Sequence, residues 1–436
     1  MAISPFAART LALEARGLLT RLTRVRPFAL LEPMVPAAGL LPSTQAATER
    51  YLIDGRRELR DMVILFLDWL EVSRTSAAST AEAQRRFAML RLRFNTVLTQ
   101  FDLFSDAVAQ RSEHDVGVWL AGLDIVARDA LTLPGGYYQV PPLVCYLDRG
   151  VGAAIRRART RMPGGGANPV AIIRVPRERM IGSGIASSLI HEVGHQASAL
   201  LDLTASMRSQ LRGLQRGAAS MAWQLFDRWI NEILSDFWAC ARIGITATHG
   251  LIGVVSLPRP FVFRFNPDDP HPIPWIRVRL SCEIGQALFP HSQWRRLSEL
   301  WASFYPLAGL DASRRALFAE LEAAMPGFVG LLVNHRPAAL RGRSLSEALE
   351  VDERSPAKLA ALFLQWRRTP ERMYRAAPSL VFAVVGQARA DGRLSPEEES
   401  HLLAKLLTHW ALRNALVPAA DGRRRIRFDD SHRRLT

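Results

Sequence analysis

The stretch Ile185-Ala-Ser-Ser-Leu-Ile-His-Glu-Val-Gly-His195 decides how the rest of the chain is interpreted, because it ends in the pattern H-E-x-x-H. On a helix, residues four positions apart project from the same face, so the imidazoles of His191 and His195 can bind one metal ion. Glu192 then lies beside them, close enough to take a proton from a metal-bound water. The apolar residues that precede the pattern predict a buried helix. The alternative is a chance match, so the interpretation requires a third ligand elsewhere in the chain.

A third ligand is available in Asn231-Glu-Ile-Leu-Ser-Asp236, which lies in a strongly helical stretch rich in large apolar residues. Glu232 and Asp236 are four residues apart and share a helix face. Two acids on a buried face are costly unless they are paired or bind a cation. We therefore predict that Glu232 is the third metal ligand and that Asp236 accepts a hydrogen bond from the free ring nitrogen of a ligand histidine. The alternative is a solvated helix face.

Three motifs together resemble a known class of enzymes. H-E-x-x-H followed by a helix with N-E-x-x-[SA]-D is similar to the gluzincin class of zinc metallopeptidases. The segment Asp269-Pro-His-Pro-Ile-Pro-Trp-Ile-Arg-Val278 is similar, in its H-P-x-x-x-x-R-[IV] pattern, to the family of CaaX prenyl proteases and HtpX-like peptidases. The resemblance covers roughly residues 137–289. The chain departs from the membrane-bound members of that family because it lacks their transmembrane helices.

The resemblance implies a role for each residue of the motifs. The implied ligands of Zn²⁺ are His191, His195 and Glu232. Glu192 would be the catalytic base, His271 would lie near the metal, and Arg277 would support the site electrostatically. From its chemistry alone, a histidine held in a proline-rich loop can donate a hydrogen bond to the oxyanion of a tetrahedral intermediate.

These residues predict a zinc-dependent metalloendopeptidase, a hydrolase that acts on a protein or peptide substrate. A zinc-bound water, activated by Glu192, would attack the peptide carbonyl. Two alternatives stay open: a non-catalytic metal-binding scaffold or assembly protein, and a delivered, toxin-like protease. Structural zinc normally has four protein ligands rich in cysteine, and no cysteine lies close to the two histidines in the sequence.

The composition is that of an ordinary globular protein, with 48% hydrophobic and 22% charged residues among 436. The net charge is +15, but lysine occurs only at Lys358 and Lys405, so the charge comes from arginines spread over the sequence. No zinc-finger or RNA-binding signature accompanies them, and we therefore do not expect nucleic acid as a partner. Three dispersed cysteines argue against a disulfide framework and favour the reducing cytoplasm.

The apolar pattern predicts an α+β fold that is predominantly α-helical, with a zincin-like catalytic core around a small β-sheet. We expect a helical N-terminal region over residues 1–132, a metallopeptidase domain over 133–310 and a helical C-terminal region over 311–436. The longest uninterrupted apolar runs, 62–67 and 380–385, are far shorter than the ~20 residues of a membrane span. No transmembrane segment is therefore expected.

Three local features complete the expectations. Residues 6–31 can form a basic amphipathic helix, which either touches a membrane surface or packs on its own domain. Residues 137–147 and 169–176 predict strands, and the second strand either offers a free edge to an extended substrate or is an ordinary core strand. Residues 390–399 resemble half of an EF-hand without its acidic ligands, so a helix–turn–helix with Ser395 as the N-cap is expected.

Overall fold

The N-terminal part of the chain folds into helices, as its three- and four-residue apolar spacing predicts. The computed structural model describes residues 2–24, 34–73, 78–150, 152–162, 166–177, 182–214 and 220–432. The first helices are α1 (Pro5–Arg24), α2 (Pro42–Ser73), α3 (Thr80–Ala109) and α4 (His114–Leu131). The apolar stripe of α1 is buried against α2 and α3 in a core of their own, whereas α4 packs in the main core against the sheet. The helix predicted over 6–31 thus packs on its neighbours, and its residues 25–31 lie outside the described residues.

A small mixed sheet follows, formed by β1 (Leu143–Asp148), β2 (Ala154–Arg156) and β3 (Ala171–Pro176) in the order β1-β3-β2. β3 is parallel to β1 and antiparallel to β2, so that Ile173 lies opposite both Cys145 and Ile155. Of the two alternatives for the strand before the H-E-x-x-H helix, the structure supports the ordinary core strand, because β1 and β2 occupy both edges of β3. Among the described strands, β2 forms the outer edge on that side.

The helices that follow the sheet in the described chain are α5 (Gly184–Leu200), α6 (Leu203–Leu211), α7 (Ser220–Ile243), α8 (Ile245–Val255), α9 (Arg259–Val262), α10 (Pro274–Leu288) and α11 (Ser292–Phe304). Helix α5 packs closely against both α7 and α8. Two glycines allow α5 to lie this close to α7 and α8. A Cβ at Gly194 would lie 2.7 Å from Ser235 Cα, and a Cβ at Gly250 would overlap the side chain of Ser187. Any larger residue at these positions would force the helices apart, because the interior is already close-packed.

The C-terminal part is again helical, with α12 (Ala312–Asn334), α13 (Leu345–Ala348), α14 (Pro356–Arg368), α15 (Pro370–Arg375), α16 (Pro378–Ala390) and α17 (Pro396–His432). The turn between α16 and α17 is the predicted helix–turn–helix. Ser395 Oγ accepts the N–H of Glu398 at 3.2 Å, and Glu398 Oε2 accepts the N–H of Ser395 at 2.9 Å, which makes a reciprocal cap. A chain that is mostly helical around one small sheet confirms the predicted α+β class.

Among the described residues, one helix, α12, is long and apolar enough to cross a membrane by its length and composition alone. Sequence patterns missed it because its apolar residues do not form one uninterrupted run. In the fold, 39% of its most apolar window is buried, and Phe318, Leu321 and Phe328 pack in the core beside α7 and α10. Glu322 on this helix also pairs with Arg279 on α10 at 2.5 Å. Helix α12 is therefore attached to the core by both apolar and charged contacts.

Candidate metal centre

Helix α5 presents both histidines of the H-E-x-x-H pattern on one face, as the spacing predicts. The ring centroids of His191 and His195 lie 4.9 Å apart, and the rings stand at 84° to each other. Ile185, Leu189 and Ile190 of the same helix are buried in the main core, which confirms the predicted buried helix. The helix is thus anchored by its apolar residues, while the imidazole of His191 borders a cleft.

Glu232 on α7 completes a group of three possible metal ligands. Its Oε2 lies 3.2 Å from His191 Nε2, and its Oε1 lies 3.4 Å from His195 Nε2. One donor atom from each residue falls within 4.8 Å of the others, a spacing that an ion about 2 Å from each donor can bridge. Glu232 Oε2 is also buried and receives no hydrogen bond from the described residues, which is costly unless a cation compensates it. The three residues therefore fit a metal ion that takes nitrogen and oxygen ligands.

Asp236 and Arg277 support the ligand group through His191. Asp236 Oδ1 lies 2.8 Å from His191 Nδ1, the contact predicted for a carboxylate that orients a ligand histidine. Arg277, in the first turn of α10, donates to both oxygens of Asp236 at 2.6 and 2.9 Å. Its Nη2 also lies 3.5 Å from Glu232 Oε2. The motif resemblance implied that Arg277 supports the site but did not indicate which residue it contacts. The structure shows that it pairs with Asp236.

The buried acids, histidines and arginine of this group shift one another's pKa values strongly. Burial alone would raise the pKa of Glu232, but the two histidines and the Arg277 guanidinium outweigh it and lower the pKa to about 2. Arg277 and His191 likewise hold the pKa of Asp236 well below its usual range against the effect of burial. Burial alone would lower the pKa of His191, but Asp236 and Glu232 raise it to about 9. Burial and the neighbouring His191 lower the pKa of His195 to about 4.

Glu192 lies next to the ligand group and borders the same cleft. Burial, reinforced by the carboxylate of Glu232 and opposed by His191, raises the pKa of Glu192 above its ordinary value. A carboxylate with a raised pKa accepts a proton from water more readily than an ordinary one. The position and the electrostatics of Glu192 therefore suit the general base predicted for it.

His271 lies beside the ligand group without belonging to it. Its side chain is 52% exposed, and its Nε2 lies 3.5 Å from Glu232 Oε2. Asp269 Oδ1 lies 2.8 Å from His271 Nδ1 and accepts the backbone N–H of His271 at 2.9 Å. Sequence patterns missed Asp269. The available signal was its spacing, since an aspartate readily accepts the backbone N–H two residues further on.

The cleft beside the ligand group has a volume of about 160 Å³ and combines a charged side with a non-polar wall. Its charged lining residues are all residues of the site: His191, Glu192, Asp236, His271 and Arg277. Its non-polar wall comes from α7 and α8: Ala239, Ala247, Leu251 and Val254. Gly152 and Ala153, which lead into β2, also border it. A group that enters the cleft therefore meets the possible metal site, an aliphatic wall and the outer strand.

The described residues thus define a protein with a His-His-Glu group able to hold a metal ion at a cleft. No protein-family model, no curated protein and no solved structure matches the chain. Arguments about function therefore rest on the chemistry of these residues and on the motifs that carry them.

Proposed function

We propose that the chain is a zinc-dependent metalloendopeptidase that hydrolyses peptide bonds in a protein or peptide substrate. The observation that carries the proposal is the convergence of His191, His195 and Glu232 from two helices, with Glu192 beside them at a cleft. Three protein ligands next to a cleft are typical of catalytic zinc, whereas structural zinc normally has four ligands rich in cysteine. The three cysteines of this chain are free, and none belongs to the ligand group. The resemblance of the motifs to gluzincins, and to CaaX prenyl proteases and HtpX-like peptidases, supports the same class.

In the proposed reaction, His191, His195 and Glu232 would hold the zinc ion, which would supply a bound water of lowered pKa and a Lewis acid for the carbonyl group. Glu192 accepts the proton of the attacking water and passes it to the leaving amine. In its doubly protonated form, His271 would donate from Nδ1 to Asp269 and from Nε2 to the developing oxyanion. Asp236 fixes the ring of its ligand histidine on the Nδ1 side.

The surroundings of the cleft favour an extended peptide with a non-polar side chain near the scissile bond. Ala153 borders the cleft and leads into the outer strand β2, whose outer backbone groups can pair with an extended segment. Leu251 and Val254 give the wall an aliphatic surface. Among the described residues, every charged residue that lines the cleft has a role in the metal site, so these residues offer a charged substrate side chain no partner on the wall.

The test compares the full chain with its Glu192→Gln variant after both are loaded with zinc. The substitution keeps the size of the side chain and removes the proton acceptor. We expect equal bound zinc by elemental analysis, equal circular dichroism, and cleavage of a mixed peptide library by the unchanged chain alone, at bonds next to non-polar residues. Retained cleavage by Glu192→Gln would refute the role of Glu192 as the base.

Two further outcomes bear on the metal site and on the alternative function. We expect both His191→Ala and Glu232→Ala to lose zinc, and full zinc content in both variants would show that the ligands are wrong. If the unchanged chain binds zinc but cleaves no peptide in the library, the protein is a non-catalytic metal-binding component and the proposed activity fails.

A further inference from the structure

A second cavity lies between α8, α11, α14 and the end of α16, and it shares no lining residue with the metal cleft. Its volume is about 630 Å³, within the range of small-molecule sites. Helix α8 borders both cavities, with Ala247 and Leu251 at the metal cleft and Ile245 and His249 at the second cavity. Neither the metal nor the proposed reaction gives this second cavity a role.

The charged side chains of this cavity leave an excess of positive charge. Its lining contains the guanidinium groups of Arg296 and Arg393 and one carboxylate, that of Asp391. Asp391 Oδ1 already accepts a hydrogen bond from Gln387 Nε2 at 2.9 Å, and its Oδ2 lies 3.9 Å from Arg393 Nε, at the limit of an ion pair. Arg296 has no acidic partner among the described residues. At least one guanidinium is therefore available to an anion.

Neutral donors line the same cavity. His291 Nδ1 accepts the backbone N–H of Gln293 at 3.3 Å, so the neutral ring carries its proton on Nε2 and can donate from there. Gln293 and Gln387 are buried and face each other. The bond from Gln387 Nε2 to Gln293 Oε1 is 2.9 Å, whereas the return bond from Gln293 Nε2 is 3.5 Å. A long return bond leaves the amide of Gln293 with donor capacity.

We propose that this cavity binds a small organic phosphate, with its anionic group held by Arg296 and Arg393 and its organic part against the aliphatic wall. A phosphate offers several acceptor oxygens to a guanidinium, which binds it through parallel hydrogen bonds. The aliphatic wall is formed by Ile245, Leu297, Leu300 and Ala360. A cavity lined by both hydrogen-bond donors and aliphatic side chains matches a ligand with a phosphate head and a non-polar body.

The test is a calorimetric titration of the full chain, in chloride buffer, with phenyl phosphate, inorganic phosphate and phenol. We expect phenyl phosphate to bind more tightly than inorganic phosphate and phenol to show no binding. The double variant Arg296→Gln/Arg393→Gln should weaken phenyl phosphate at least about tenfold, because it removes charge-assisted hydrogen bonds. Both arginines are exposed, so circular dichroism of the variant should match that of the unchanged chain.

The matched control is Arg295→Gln, which changes the neighbouring arginine on α11. Arg295 is 76% exposed, pairs with Glu299 at 3.8 Å and does not line the cavity. The Arg295→Gln variant should bind phenyl phosphate as tightly as the unchanged chain does. Equal affinity in the double variant, an equal loss in Arg295→Gln, or binding of phenol as tight as that of phenyl phosphate would each overturn the proposal.

Discussion

Gly194, inside the H-E-x-x-H pattern, sets the distance between the helix of the two histidines and the helix of Glu232. A Cβ at this position would lie 2.7 Å from Ser235 Cα, 3.0 Å from Ser235 O and 3.1 Å from Trp238 Cβ. Two of these atoms are backbone and cannot rotate away. Because non-bonded carbons settle about 3.5–4.0 Å apart, Gly194→Ala requires α5 and α7 to separate by about 1 Å.

A separation of that size affects both the metal group and the stability of the fold. Ser235 lies three residues from Glu232, so a shift of α7 moves the Glu232 carboxylate away from both imidazoles. Ligand distances in metal sites are held to about ±0.2 Å. We expect zinc affinity to fall at least about tenfold. We also expect the free energy of unfolding to fall by about 1–3 kcal/mol through overpacking, partly offset by up to about 1 kcal/mol from the helix preference of alanine.

The assay combines urea denaturation of the chelator-treated protein with a zinc competition titration against a chromogenic chelator. The control is Gly184→Ala, at the first residue of the same helix, where an added Cβ meets no atom within 4 Å. This control should keep its zinc affinity and should be no less stable than the unchanged chain. Unchanged stability and zinc affinity in Gly194→Ala would show that α5 and α7 do not approach closely at this point, and the argument for the metal group would fail with it.

Two further substitutions test the support of the site and of the core. Asp236→Asn should weaken zinc binding about 10–100-fold in the same titration, because it removes the charge that orients the ligand histidine; an unchanged affinity would show that this contact does not tune the metal. Arg111→Met should lower the free energy of unfolding by about 3–5 kcal/mol in urea, since it leaves the buried carboxylate of Asp124, 3.1 Å away, without its partner. The exposed pair Arg57–Asp54 serves as the control, and Arg57→Met should cost less than about 1 kcal/mol; equal costs for the two pairs would contradict the argument from burial.

Local spacing was sufficient to predict the two helices that carry the site and the side chains that share a face on each. The i, i+4 spacing in α5 and α7 predicted which side chains share a face, and the cost of burying two acids led to the prediction of Glu232 as a metal ligand and of Asp236 as the partner of a ligand histidine. Contacts between segments that are far apart in the sequence could not be predicted from local spacing. The pairing of Arg277 with Asp236 depends on where α10 crosses α7, and no local pattern encodes a crossing.

The order of the strands in the sheet was also not predictable from local spacing. β2 contains three residues, Ala154–Arg156, too few for an alternating pattern to be distinguished from a loop. Its insertion beside β3 places that strand in the centre of the sheet. Sequence patterns predicted β3 itself. The outer edge is formed by β2, which can be recognised as a strand only from its pairing with β3 in the structure.

The balance of charge around His191 supports the proposal that this group binds a cation. Glu192, Glu232 and Asp236 are buried or nearly so, and Arg277 is the cation that faces them. With neutral histidines, three carboxylates against one guanidinium leave two negative charges in excess. Burial alone would lower the pKa of His191, but Asp236 and Glu232 raise it to about 9, so a proton on this ring reduces the excess. A divalent ion would balance the two charges directly, and its binding should therefore release protons.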